Sequence, residues 1–484
     1  MAKIYYHAVP ADWRKEQKYK FLDEHDSVSK IDWTEITPDA KQNWLTAGME
    51  KEFDGFISIG NKEAKASSKQ NVEAIFKTYG GGIKTSRDRW CFNFNQDNLI
   101  KNIVTTLDFF NEHVHRWANS DKKRSVDDFV SYVAAKIAWS STLKDVLQRN
   151  KPVEYQEEHV RRSLYRPFTK EFLYFDKNLN ERTYQFPRIF PNYYSEQENV
   201  VICLSGLGHD VFQCQTSTHI VEYKFSSSTN GGTQAFPYYT YNEDGTNRRE
   251  NITDWALTQF REHYKSEPPA VAGGLTRTID KTDSNQELTV SSSAMGANLQ
   301  PPATAGGSDT ISKWDIFYYT YAILHHPEYC KKYAANLKRE LPRIPFAPDF
   351  WSFAKAGKEL ADIHVNYEAS SEYKLDMHEN AKLALDWRVG RMKYNKEKTA
   401  IVYNEFLTIS GIPPEVHEYR LGNRSALDWI VDQYKVSIDK RSGITNDPNR
   451  DDDKDYIVRL IKKIVTVSLR TNEIVKSLPA LAEA

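Results

Sequence analysis

Hydrophobic positions change their spacing several times along the chain. From Asn98 onward, Leu99, Ile103, Leu107, Phe110, Val114 and Trp117 recur at steps of three and four, which places them on one face of an α-helix. Val126, Val130, Val133 and Ile137 repeat that spacing after a charged connection at 119–124, and the pair reads as two antiparallel helices. Beyond Lys151-Pro152 the period shortens. Phe172-Leu173-Tyr174-Phe175, Val200-Val201-Ile202-Cys203-Leu204 and His219-Ile220-Val221-Glu222-Tyr223 are short aromatic or β-branched runs separated by Asn, Gly and Asp. They predict a mixed or antiparallel sheet between about 170 and 245. Helices are expected again at 317–329, 350–365 and 426–434, and strands at 399–403 and 406–409. Ile457, Leu460, Ile461, Ile464 and Val467 define a last amphipathic helix. The fold class implied is mixed α+β: a helical N-terminal region, then a mixed-sheet domain with flanking helices.

One segment breaks the pattern. Residues 265–312 contain no aromatic side chain and are rich in Pro, Gly, Ser and Thr, a composition that buries too little to fold. Pro268-Pro269-Ala270-Val271-Ala272-Gly273-Gly274 nearly returns as Pro301-Pro302-Ala303-Thr304-Ala305-Gly306-Gly307. Two copies do not make a solenoid, so the segment reads as a disordered insertion in a surface loop.

Charge narrows the function. The chain has 484 residues, with 65 Lys+Arg against 66 Asp+Glu, so a globally basic nucleic-acid coat is excluded while local basic stripes are not. No apolar stretch approaches the roughly 18 residues that cross a bilayer. The N-terminus lacks the apolar core of a signal peptide. Four cysteines, Cys91, Cys203, Cys214 and Cys330, form no CxxC pair and no disulfide framework, which suggests a reducing cytoplasm.

Catalytic signatures are missing. There is no GxxxxGK[ST] phosphate loop, no HExxH and no GxSxG elbow. Tyr79-Gly80-Gly81-Gly82 and Gly206-Leu207-Gly208-His209 lack the spacing of a cofactor loop and read as turns. An adenine-amino methyltransferase needs a [DNS]-PP-[YF] tetrapeptide to hold the flipped base. None of the pairs Pro268-Pro269, Pro301-Pro302 and Pro413-Pro414 has that context. His325-His326 before Pro327 reads as capping or packing rather than a metal site.

The basic segments are more informative. Residues 160–188 hold seven basic residues against three acidic, interleaved with seven aromatics. Residues 382–398 hold six basic against two acidic, and Lys84, Arg87 and Arg89 form a third cluster. Arginine suits bidentate contact with phosphate or guanine. A solvated face with surface ion pairs has the same composition.

Ordered motifs then point to a family. Arg161-Arg162-Ser163-Leu164-Tyr165-Arg166-Pro167-Phe168, with Tyr174-Phe175-Asp176 and Phe186-Pro187-Arg188, resembles the opening of the target-recognition region of type ISP restriction–modification enzymes. Phe76-Lys77-Thr78-Tyr79, Lys84-Thr85-Ser86-Arg87-Asp88, Asp315-Ile316-Phe317-Tyr318-Tyr319, Leu341-Pro342-Arg343-Ile344-Pro345, Gly422-Asn423-Arg424-Ser425-Ala426-Leu427-Asp428-Trp429 and Ser442-Gly443-Ile444-Thr445-Asn446-Asp447-Pro448 continue the resemblance. It covers most of the chain except 265–312.

The resemblance implies a methyltransferase tail with a helical linker at 1–150 and a DNA specificity domain at 151–484. It implies sequence-specific recognition of double-stranded DNA, positioning it for adenine-N6 methylation and cleavage by modules absent here. S-adenosylmethionine, ATP and Mg belong to those modules, so no cofactor is expected in this chain. The implied partners are duplex DNA and a methyltransferase/helicase–nuclease polypeptide encoded upstream. An alternative is the C-terminal half of a split adenine methyltransferase. The DNA-contact candidates are Lys84, Arg87, Arg89, Arg161, Arg162, Arg166, Arg388, Arg391, Lys393, Asn423 and Arg424. Arg166 has an internal tether to a carboxylate as its competing role, and Gly422-Asn423-Arg424 a purely structural turn.

Overall fold

The computed structural model describes residues 3–482, apart from 11–12, 14, 39–43, 45–48, 70–71, 209–210, 226–231 and 267–309. Almost all of the expected insertion therefore lies outside the described residues. Its two ends meet, since Ile311 N donates to Ser266 Oγ at 2.8 Å and Arg261 Nε to Ile311 O at 2.9 Å.

Helices and short sheets mix through the chain, as expected of an α+β protein. A central antiparallel sheet runs in the order Gly80–Gly81, Gln234–Pro237, Val201–Leu204, Cys214–Ser217. All four residues of Val201–Leu204 are buried, so the strand is covered on both faces. Alternation splits them. Val201 and Cys203 face one core, and Ile202 and Leu204 another. The second of these cores is roofed by the helices Lys313–Ile323 and Phe350–Val365. Gly357 lets that helix pair close, because a Cβ there would lie 1.8 Å from Tyr318 O.

A second sheet is mixed, in the order Ile220–Val221, Val160–Arg166, Thr169–Tyr174, Phe92–Asn93. Ile220–Val221 joins Val160–Arg166 in parallel and the other pairs are antiparallel. Phe92 pairs with Leu173, and the helix Gln96–Ala118 packs its predicted apolar stripe into the same core as this sheet. Packing therefore continues across residue 150, the expected domain division.

The second expected helix is not formed. One turn, Val126–Phe129, is followed by irregular chain. Val130 and Ile137 are buried without it, because side chains of the long helix take over the backbone partners. Thr106 Oγ1 donates to Lys136 O at 2.9 Å, and Ser131 N donates to His113 Nε2 at 3.1 Å. The helix predicted from Phe317, with its end expected near His326-Pro327, spans Lys313–Ile323, and a second helix, Pro327–Lys332, starts at Pro327, which has no N–H to continue the ladder.

A third, antiparallel sheet runs in the order Asp376–Glu379, Leu407–Ser410, Ala400–Val402, Lys393–Tyr394. It packs on the helix Tyr456–Lys476 through a third core. At the other end of the chain, Ile4–Tyr6 pairs with Thr34–Ile36, and the intervening helix Lys15–His25 buries no residue. Among the described residues no helix is long and apolar enough to cross a membrane.

Candidate nucleic-acid interface

The sequence candidates separate by depth. Three lie inside. Arg87 is 2% exposed, and its guanidinium donates to the carbonyls of Ala138 (3.2 Å) and Leu179 and to Ser140 Oγ. It ties three loops together and has no free face for a phosphate. Arg161 is 6% exposed and pairs with buried Glu196, with Phe190 O at 3.3 Å. Arg166 Nη1 donates to Glu222 Oε2 at 2.7 Å and to Tyr165 O at 2.6 Å, and its guanidinium lies over the Tyr165 ring. The tether reading of Arg166 is the one this geometry fits. For Arg87 and Arg161 the expected DNA contact is corrected in the same sense. Burial of a cation demands a partner, and these have protein partners.

Strand register explains the pattern. Arg161 pairs across the sheet with Leu173 and faces the interior, whereas Arg162 pairs with Phe172 and points to the opposite face. Its guanidinium sits 3.8 Å over the Phe172 ring, on the wall of a cleft of about 900 Å³ that Tyr193, Tyr194 and the Arg161–Glu196 pair also line. Lys170, on the same face as Arg162, binds Glu368 at 2.6 Å. Burial opposes ionisation of Glu368, but Lys170 and the Tyr456 hydroxyl outweigh it and bring its carboxyl down to about 2. Neighbouring Glu171 is buried with Asn446 Nδ2 at 3.1 Å, and burial pushes it up to about 7.

The remaining candidates are at the surface. Arg89 reaches Asp439 at 3.7 Å, Arg388 pairs with Asp447 at 2.7 Å, and Arg424 pairs with Asp432 at 2.5 Å while lying over Trp429. Asn423 is exposed, and its backbone carbonyl accepts from Arg420. Lys84, Arg391 and Lys393 are exposed with no carboxylate partner among the described residues. Lys84 is joined by Arg182, which sequence reasoning did not select. Their backbones pair at 2.9 Å in both directions, setting two exposed cations side by side. Period-two patterning gave no sign of this isolated bridge, which joins chain segments far apart in sequence.

Among the described residues no three potential ligands are grouped to hold a metal. Cys214 Sγ lies 3.4 Å from His325 Nδ1, the geometry of a nucleophile and base. Burial drives both the wrong way, raising the thiol well above its ordinary value and lowering His325 to about 4. His326 Nε2 lies 3.0 Å from Pro479 O, a packing role.

Comparison with known proteins bears on the whole arrangement. The profile described as the type ISP C-terminal specificity domain matches residues 74–460. No curated protein matches the chain. A nuclease-deletion mutant of the type ISP restriction–modification enzyme LlaGI, in complex with a DNA substrate mimic, is 29% identical with a TM-score of 0.78, over 99% of this chain and 39% of that one. The ATP-dependent type ISP enzyme LlaBIII bound to DNA is 28% identical with a TM-score of 0.75, over 97% and 27%. The DrdV–DNA complex is 30% identical with a TM-score of 0.77, over 99% and 44%. The chain thus spans less than half the length of each of these.

Proposed function

Because the chain belongs to the type ISP C-terminal specificity domain family, we propose that it recognises a short double-stranded DNA sequence on behalf of a type ISP restriction–modification system. The observation that carries this reading is structural likeness over 99% of the chain to an enzyme solved with a DNA mimic. Recognition needs no general base. It needs a stiff scaffold, cations on phosphates and polar side chains on base edges. Tethers such as Arg87 and Arg161 supply the stiffness, and Lys84, Arg182, Arg391 and Lys393 supply exposed cations.

Adenine methylation, ATP-driven cleavage and their cofactors, S-adenosylmethionine, ATP and Mg, fall to modules outside this chain. The partner is a polypeptide carrying them, and the setting is the cytoplasm, where the DNA is. Selection from a randomised duplex library tests the reading. The chain, alone or reconstituted with that polypeptide, should enrich one sequence with an affinity that falls as salt rises. Failure to enrich any sequence rejects it.

The N-terminal unit favours a second reading. Tyr5, Tyr19, Leu22, Val28 and Trp33 are exposed on a two-stranded unit, which is marginal without further packing. That suits the tail of a methyltransferase completed by the upstream polypeptide. Methyl transfer by the reconstituted pair, absent from either part, is the outcome it requires.

A further inference from the structure

The connection 380–392 runs from one edge strand of the third sheet, Asp376–Glu379, to the other, Lys393–Tyr394. On its way it is fastened to the turn between Ala400–Val402 and Leu407–Ser410. Asn380 N donates to Phe406 O at 2.7 Å, Tyr403 OH to Trp387 O at 2.7 Å, and Asn404 Nδ2 to both Asp386 O and Arg388 O at 2.9 Å. Between these anchors, Ala381-Lys382-Leu383-Ala384-Leu385-Asp386 are all exposed. Four of them are apolar, and Leu385 is 64% and Leu383 43% exposed.

A firmly anchored loop that holds leucines in water marks a contact surface. Charge identifies what covers it. Lys382 adjoins Leu383, and Arg391 and Lys393 follow farther along the same stretch; all three are exposed without a carboxylate partner among the described residues, with exposed Glu379 and Asp386 as the acidic members of that stretch. Val402, opposite Lys393 in the sheet, adds a further exposed apolar side chain. Exposed apolar side chains and unpaired cations carried on one anchored connection complement a DNA duplex, in which phosphates border a groove floored by stacked bases.

We propose that Leu383 and Leu385 are an apolar wedge that enters a groove and partly unstacks one base step, with Lys382, Arg391 and Lys393 on the flanking phosphates. The inference rests on the DNA-recognition reading and extends it to the deformation of the site. Specificity then includes the ease with which a step is unstacked, as well as contacts to base edges.

The test uses the full chain and the duplex it enriches, carrying 2-aminopurine at successive positions. Wild type should raise the fluorescence at one step. The variant L383S/L385S should lose that rise and bind about tenfold or more weakly, with the same salt dependence and the same thermal midpoint. R391A/K393A should show a shallower salt dependence and keep the rise at saturating protein. Unchanged affinity and fluorescence in L383S/L385S, or no rise at any position with wild type, overturns the wedge and leaves the patch to a protein partner. No enriched duplex at all would instead remove the recognition reading, and the wedge with it.

Discussion

Two basic regions of similar composition behave in opposite ways. On the hairpin Val160–Arg166 and Thr169–Tyr174, both faces of the sheet are covered, and most residues are buried or half-buried. On the sheet from Asp376 to Ser410 only the inward positions are buried, such as Ile401, Leu407 and Ile409. In the first setting Arg161 and Arg166 meet internal carboxylates, Glu196 and Glu222, and Arg162 packs on Phe172. In the second, Arg391 and Lys393 are without a carboxylate partner among the described residues, while Arg388 and Lys398 hold exposed ion pairs with Asp447 and Asp428. The lesson is that the number of covered faces, rather than basic content, decides whether a cation is structure or interface.

Removing a tether should have the largest effect. R161A leaves the Glu196 carboxylate buried, with His219 Nδ1 at 3.8 Å as its remaining ion-pair partner among the described residues. We expect a loss of about 3–5 kcal/mol in urea unfolding, the usual result of orphaning one member of a buried pair. The double variant R161M/E196L should recover most of it. A loss below about 1 kcal/mol would place Arg161 with the surface cations and dissolve the contrast.

Proton linkage sharpens the same side. Glu171 in the folded hairpin is raised to about 7 by burial, against an ordinary value of 4.5. Between those values the folded chain holds a proton that the unfolded chain has released. Stability should therefore fall as pH rises from 4.5 to about 7, by on the order of 3 kcal/mol, and stay level above. Glu368 acts in a separate window. Its folded value is depressed to about 2, so its contribution is present above 4.5 and fades as pH drops toward 2. Thermal unfolding of E171Q and wild type between pH 5 and 8 isolates the Glu171 part, and parallel curves would refute it.

How much of this was legible in the sequence follows from the same physics. Period 3.6 located the helices Gln96–Ala118 and Phe350–Val365, because each lays one stripe on a core. It misread Val126 to Ile137, where Val126, Val130 and Ile137 are buried in chain that the neighbouring helix pins while Val133 is exposed. The residue types of a DNA-contacting surface were visible, but their depth was not. Arg161 meets a carboxylate 35 residues away and Arg166 one 56 away, and no local pattern reports such pairings. Leu383 and Leu385 carried no signal either, since an apolar residue in a loop is indistinguishable from a core residue until its exposure is known.

On the open sheet the effects should be smaller and of another kind. R391A and K393A touch no internal partner, so their stability should stay within about 0.5 kcal/mol of wild type. Each should lower the magnitude of the slope of log affinity against log salt by about 0.9 if it neutralises one phosphate. A measurable stability loss without a change in slope would move these residues to the tethered class.

Arg388 tests the boundary between the classes, with the smallest expected effect. It lies on the open sheet yet pairs with Asp447 at 2.7 Å and Asp451 at 3.6 Å, at 58% side-chain exposure. An exposed pair of this kind contributes about 0–1 kcal/mol, so R388A should barely move the unfolding curve. Two carboxylates also cancel its charge toward a phosphate, so the salt slope should be unchanged. D447N should release part of that charge and steepen the slope. A slope that drops in R388A itself would mean that DNA outcompetes Asp447, and that an ion pair on an uncovered face is a resting state of the interface rather than a structural bond.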